Sequence, residues 1–246
     1  MKFKDCLEIR KNDMLTFVGA GGKTTSIKRL AAEYMNNLII TTTTHFFPFS
    51  NFQHEEIIIK NEKKFDSYLE EIKLKTADDI VVFGREKDNF GKIQGISPLW
   101  LDKLKVSLPE SNFLVEGDGA KGRYIKVPAE HEPVIPNSTD IIAVVLGMNN
   151  FGEKISKKNS FRINKLNELS DGEYIDAELI VKILTSKKSY GYYKDKCRNY
   201  ICILTQVNEE NYRSVKKTAD ILISQGINKV LLVNYNYKKY ILETIE

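Results

Sequence analysis

An α/β fold, with a mostly parallel sheet and helices on both faces, is the architecture that these 246 residues predict. Short apolar runs alternate with longer amphipathic stretches from one end of the chain to the other, which is the rhythm of βα repeats. Several runs, Ile141-Ile142-Ala143-Val144-Val145-Leu146 among them, are apolar at every position, as strands covered on both faces are. A glycine-rich turn, Gly19-Ala20-Gly21-Gly22, joins the first strong run to the first amphipathic stretch.

Taken in order, strands are expected at 14–18, 38–42, 56–59, 79–83, 113–116, 140–146, 200–204 and 229–233. Helices are expected at 24–35, 62–72, 98–106, 176–184, 211–224 and 237–244. In the first helix Ile27, Leu30, Ala31 and Tyr34 fall at i, i+3, i+4 and i+7, the stripe of a helix packed on a sheet. Residues 84–95 are polar and rich in turn formers, which predicts a hairpin or surface loop at the edge of the domain. Residues 147–172 form a long polar segment, read as an insertion or a lid on one domain spanning 1–246.

Charge narrows the function classes. The chain carries 37 Lys and Arg against 33 Asp and Glu, a net +4, with the two signs mixed along its length. No polybasic arm is present, so a nucleic-acid partner is not expected. No apolar run approaches the ~20 residues of a membrane span, and the first residues lack a signal-peptide core, so a cytoplasmic protein without a membrane partner is expected. Cys6, Cys197 and Cys202 are read as reduced thiols packed like small apolar residues, with a reactive Cys197/Cys202 pair as the alternative.

The most informative residues are Gly19, Ala20, Gly21, Gly22, Lys23, Thr24 and Thr25. A strand that feeds a glycine turn into a helix start aims backbone N–H groups at one point, and the helix dipole adds positive potential there. That is a phosphate site, and it makes the expected fold P-loop NTPase-like: Lys23 would reach the β- and γ-phosphates of ATP or GTP, and the Thr24 hydroxyl would meet Mg²⁺. The loop is shorter than G-x-x-x-x-G-K-[ST], since Phe17 stands six residues before the lysine, and in this it resembles Mur-type ligases. A carboxylate at the tip of a neighbouring strand should share the metal, and Glu116 and Asp118 in Val115-Glu116-Gly117-Asp118-Gly119 supply it, with no choice made between them. Lys23, Glu116 and Asp118 are thus the expected catalytic groups, and Thr24, Glu116 and Asp118 the expected metal ligands. Thr41 and Thr42 are read as strand residues, and Thr43, Thr44 and His45 as candidates at the carboxyl edge where ligands bind in open α/β sheets.

These motifs carry a resemblance. The glycine loop, the Thr41, Thr42, Thr43, Thr44 run, the Val115 to Lys121 segment and the proline-rich segment 126–136 together resemble the YqeC family, over 14–162 well and over the last third loosely. What the resemblance implies is a nucleotide-dependent protein in maturation of the selenium-containing cofactor of molybdenum hydroxylases. The partners would be a small anionic substrate or molybdenum cofactor intermediate, and a molybdenum hydroxylase. In the 126–136 segment Pro128, Pro133 and Pro136 stiffen a loop bearing Glu130, His131 and Glu132, preceded by Lys121, Arg123 and Lys126. Lys121, Lys126, His131 and Glu132 are therefore expected near a second substrate. Related sequences tend to have His-Arg where this chain has Phe161-Arg162, so Arg162 is carried over as an anion clamp without the histidine. Leu204-Thr205-Gln206-Val207-Asn208 stands where many GTPases place N-K-x-D; without the carboxylate, ATP fits at least as well as GTP. Three reactions remain open at this point. The leading one is Mg²⁺-dependent NTP hydrolysis or phosphoryl transfer. A metallochaperone-like nucleotide switch delivering metal or cofactor is the alternative, supported by the E-x-x-G form of Glu116 to Gly119. An acyl-phosphate-forming ligase is the third.

Overall fold

The computed structural model describes residues 2–46, 48, 53–59 and 65–246, so the start of the helix expected at 62–72 lies outside the described residues. The chain divides into two compact units. The first comprises Met1–Phe17, Thr24–Gly119 and Val134–Asp140. Its elements, including most of β1 and α2, are α1 (Phe3–Cys6), β1 (Met14–Gly19), α2 (Lys23–Ala31), β2 (Leu38–Thr42), β3 (His45–Phe46), β4 (Glu55–Ile59), α3 (Phe65–Asp78), β5 (Ile80–Arg85), β6 (Ile93–Gln94), α4 (Pro98–Ser107) and β7 (Asn112–Glu116). Five strands pair in the order β1-β7-β2-β5-β4, and every pairing is parallel.

Alternation along these strands explains the apolar runs. Ile39, Val81, Phe83, Phe113 and Val115 share a core cluster with Ile72 of α3 and Leu101 and Leu104 of α4, while the intervening Leu38, Ile40, Val82 and Leu114 are as deeply buried. Register then sets the site. Glu116 is opposite Phe17 on one side and Thr42 on the other, so the last residue of β7 stands between the ends of β1 and β2.

The second unit comprises Val18–Lys23, Ala120–Pro133 and Ile141–Glu246. Its elements are β8 (Ile125–Lys126), β9 (Ile141–Gly147), β10 (Ser160–Phe161), α5 (Ile163–Leu169), α6 (Ala177–Thr185), a 3₁₀ turn (Tyr190–Lys196), β11 (Asn199–Thr205), α7 (Tyr212–Ser224), β12 (Lys229–Val233) and β13 (Ile241–Ile245). Strands run in the order β13-β12-β11-β9, parallel except for β12 with β13, and β8 pairs separately with β10.

The structure corrects several expectations. The helix expected at 237–244 is the antiparallel strand β13, where Val230 faces Ile245 and Leu231 faces Thr244. Three β-branched residues, Ile241, Thr244 and Ile245, favour the pleat, and Glu243 is held by Tyr212 and Lys216 of α7. Helix α2 ends at Ala31 and not near 35, because Glu33 and Tyr34 close a tight i→i−3 turn and the Glu33 carboxylate accepts the Phe3 and Lys4 amides at 2.7 and 2.9 Å. Residues 84–95 do form a hairpin, with Lys87 bridging Ile93. The 147–172 segment holds β10 and α5, with β10 paired to β8 and Lys154 bridged antiparallel to Tyr174 just beyond it. No helix among the described residues is long and apolar enough to cross a membrane.

Candidate functional site

The glycine loop leaves β1 and enters α2 through three glycines at positive φ: Gly19 at 99°, Gly21 at 76° and Gly22 at 148°. Close approach demands glycine as much as φ does. A Cβ at Gly19 would lie 2.2 Å from the Val145 carbonyl oxygen, and one at Gly21 would lie 2.6 Å from the Gly147 nitrogen. The Ala20 amide donates to the Val145 carbonyl at 2.7 Å, so in this conformation it anchors the loop to β9. Lys23 is buried, and its Nζ donates to the Gly19 carbonyl at 2.6 Å, curling the side chain back over the loop.

Thr24 and Glu116 meet. The Thr24 hydroxyl donates to Glu116 Oε2 at 3.0 Å, joining the first turn of α2 to the end of β7. Glu116 and Asp118 are both buried. The backbone around them is pinned: the Gly117 amide donates to the Phe17 carbonyl at 2.9 Å, and the Glu116 carbonyl accepts from the Thr42 hydroxyl at 2.8 Å and the Thr43 amide at 3.1 Å. Among the described residues no three His, Cys, Asp or Glu side chains gather into a metal cage. The Glu116 carboxylate with the Thr24 hydroxyl would suit a Mg²⁺ ion that keeps waters in most of its octahedron, and Asp118, two residues on, is buried.

The threonines take structural work. Thr43 Oγ1 donates to the Val134 carbonyl at 2.6 Å, and Thr42 Oγ1 accepts the Thr44 amide at 3.0 Å. His45 is exposed on β3, where it pairs with Gln94, and Thr25 and His131 are exposed as well. Thr41 Oγ1 is buried with no hydrogen-bond partner among the described residues.

Lys126, Glu132 and Arg162 come together. Glu132 Oε2 accepts from Lys126 Nζ at 2.6 Å and from Arg162 Nη1 at 2.7 Å, and Lys126 is fully buried. Burial pushes the Glu132 carboxyl upward, but the hydrogen bonds from Arg162 and Lys126 outweigh it and hold it at about 2. Lys121, at φ 49°, lies with Nζ 5.5 Å from the Phe161 ring centroid.

Sequence reasoning missed the residues that hold the Gly21 carbonyl. The Thr205 hydroxyl donates to the Gly21 carbonyl, and Gln206, at φ 60°, donates to the same oxygen at 3.4 Å. Gln206 Oε1 is buried with no partner among the described residues. In the same strip Asn208 Oδ1 caps a turn by accepting the Glu210 and Asn211 amides, both at 3.0 Å. The strip stands at the end of a late strand, as expected from sequence, but its role toward the Gly21 carbonyl is not visible in a base-reading motif that it does not complete. The cysteines are all free thiols. Burial pushes Cys197 up to about 11 and Cys202 higher still, which fits the reading as packed thiols.

Fold and site together define an α/β protein with a glycine loop at the carboxyl end of a parallel strand and a carboxylate on the strand beside it. The model of a family described as YqeC protein matches residues 15–164, and this chain belongs to the YqeC family. It is 33% identical over 165 residues to a protein of Escherichia coli (strain K12) named Uncharacterized protein YqeC. That alignment covers 65% of this chain and 62% of the relative, so the chain spans less than two thirds of the length of the curated relative it matches. No solved structure matches it.

Proposed function

We propose that this chain binds Mg²⁺ with ATP or GTP at residues 19–25 and hydrolyses the nucleotide or transfers its phosphoryl group. The observation that carries this reading is the 3.0 Å hydrogen bond from Thr24 to Glu116, made where a helix starts directly after a loop whose Gly19 and Gly21 leave no room for a Cβ. Donation to Glu116 turns the lone pairs of the Thr24 oxygen away from the carboxylate, which suits that oxygen to a cation. A bound Mg²⁺, held by Thr24 and Glu116 with Asp118 alongside, would neutralise phosphate charge. Lys23 exchanges the Gly19 carbonyl for a phosphate oxygen and places its ammonium where charge develops. Thr205 and Gln206 hold the Gly21 carbonyl by hydrogen bonds, which would leave the neighbouring amides to the phosphates.

The physiological role we propose is the one the family resemblance implies: maturation of the selenium-containing cofactor of a molybdenum hydroxylase, with a small anionic intermediate as second substrate. Turnover of Mg·ATP and Mg·GTP, followed by phosphate release, tests the reading. Lys23→Ala should abolish turnover while the protein keeps its far-ultraviolet circular dichroism. Equal turnover in both proteins removes the assignment.

A further inference from the structure

We propose that the second unit carries a pocket for a small anionic molecule with a flat apolar body, lined by Lys121, Arg123, Lys157, Phe161, Arg162 and Lys165. The inference rests on the proposed reading only in that this reading calls for a small anionic second substrate; the pocket itself is argued from its own residues. The cavity measures about 630 Å³, within the range of small-molecule sites. Five cationic side chains line it against one carboxylate, that of Glu168.

Lys121 and Lys157 are exposed, and Arg123 gives this face a fixed backbone anchor. Arg123 fastens two backbone segments to each other: Nε donates to the Lys157 carbonyl at 2.6 Å and Nη1 to the Lys121 carbonyl at 3.2 Å. The wall between them is the β8–β10 pair, with Phe161 in register with Lys126. Arg162 is held at φ 61° with its guanidinium on Glu132, a carboxylate that also accepts from Lys126. Lys121, Arg123, Lys157 and Lys165 make no ion pair among the described residues. Like charges gathered on one pocket repel, and an anion among them would relieve the repulsion.

The Phe161 ring sets the rest of the ligand. Lys121 Nζ lies 5.5 Å and the Arg162 guanidinium carbon 4.7 Å from its centroid, so a flat group stacked beside the ring would bring an attached anion to both cations. Ile163 adds apolar surface. A cavity of this size with one aromatic ring differs from the extended basic stripe with several stacking platforms that a nucleic-acid strand requires. Tyr124 ties the wall to the glycine loop. Its amide donates to the Asn159 carbonyl at 3.0 Å, its carbonyl accepts the Gly147 amide at 2.9 Å, and a Cβ on Gly21 would lie 3.0 Å from that same carbonyl oxygen. The pocket is thus one residue removed from the loop assigned to the phosphates.

Calorimetric titration of the full chain with 1-naphthyl phosphate tests the pocket, with 1-naphthol as the neutral probe and inorganic phosphate as the anion alone. Wild type should bind naphthyl phosphate saturably, bind naphthol at least about tenfold more weakly, and lose affinity as salt rises. The double variant Lys121→Ala/Arg123→Ala should weaken naphthyl phosphate at least about tenfold, and Phe161→Ala should weaken it without changing inorganic phosphate. Lys23→Ala should bind the probe as wild type does even where it has lost nucleotide, which separates failure of the pocket from failure of the nucleotide site. Loss of probe binding in Lys23→Ala would place the probe on the glycine loop and overturn the pocket. So would affinity in the double variant equal to wild type, no saturable binding, or displacement by a single-stranded oligonucleotide at lower concentration than by inorganic phosphate.

Discussion

Replacing Glu132 by Gln removes the negative charge that Lys126 and Arg162 share while keeping the shape of the side chain. Lys126 has no solvent exposure and lies 2.6 Å from the carboxylate, and Arg162 lies 2.7 Å from the same oxygen. Breaking one partner of such a buried set destabilises by about 3–5 kcal/mol when desolvation is complete. Glu132 itself keeps 14% of its side-chain surface in water, which brings the expected loss to about 2–3 kcal/mol. The pH dependence gives a second magnitude. The carboxyl falls from 4.5 to about 2 on folding, so its contribution is full above pH 4.5 and is lost as pH falls towards about 2. Screened by solvent, that contribution is on the order of 2 kcal/mol. Urea unfolding of wild type and Glu132→Gln, at pH 7 and at steps down to about pH 3, measures both. Wild type should lose stability below pH 4.5, and the variant should begin lower and show a flatter curve through that window. Unchanged stability at pH 7, or parallel curves down to pH 3, would refute the claim that Glu132 is the shared counter-charge.

Gly21→Ala should destabilise the protein and weaken nucleotide binding at least about tenfold, because its Cβ meets backbone at 2.6 Å; Gly91→Ala, at φ 74° with nothing within 4 Å, should cost only the backbone strain of about 1 kcal/mol. Thermal melting and nucleotide titration of the two variants separate close packing from φ alone, and equal behaviour would contradict it. Thr205→Val removes the hydroxyl on the Gly21 carbonyl and should lower nucleotide affinity by a few-fold with little change in melting temperature. The native thiols should react slowly with Ellman's reagent at pH 8 and all three should react at once in guanidinium, given the upward shifts of Cys197 and Cys202 and the burial of Cys6. A fast native equivalent would contradict the packing assigned to them.

The strands were legible because burial on both faces writes a continuous apolar run, as at β9, and the glycine loop was legible because few other residues tolerate its φ values and contacts. The last element was misread for a physical reason. The sequence around β13 has an apolar spacing short enough to suit either period, and what decides it is pairing with β12 and the anchoring of Glu243 by Tyr212 and Lys216, which are tertiary facts. The two-residue pairs β3–β6 and β8–β10 carry no pattern long enough to see. At the site, Thr24 and Glu116 were foreseeable from loop and strand tip. The roles of Thr43 and Thr44 were not, since a hydroxyl that braces a turn and one that awaits a ligand look alike in sequence. Lys126 and Glu132 were singled out together with His131, and only the fold separates the buried pair from the exposed histidine.

In the proposed function, residues 19–25 hold a nucleotide through Mg²⁺ bound near Thr24 and Glu116. Equilibrium binding of ATP and GTP to wild type, Lys23→Ala and Glu116→Gln, each with Mg²⁺ and with chelator, tests it most directly. Wild type should bind tightly only with Mg²⁺, Lys23→Ala should bind more weakly in either condition, and Glu116→Gln should lose the Mg²⁺ dependence. Equal affinity across the three proteins, or binding indifferent to Mg²⁺ in wild type, would contradict it.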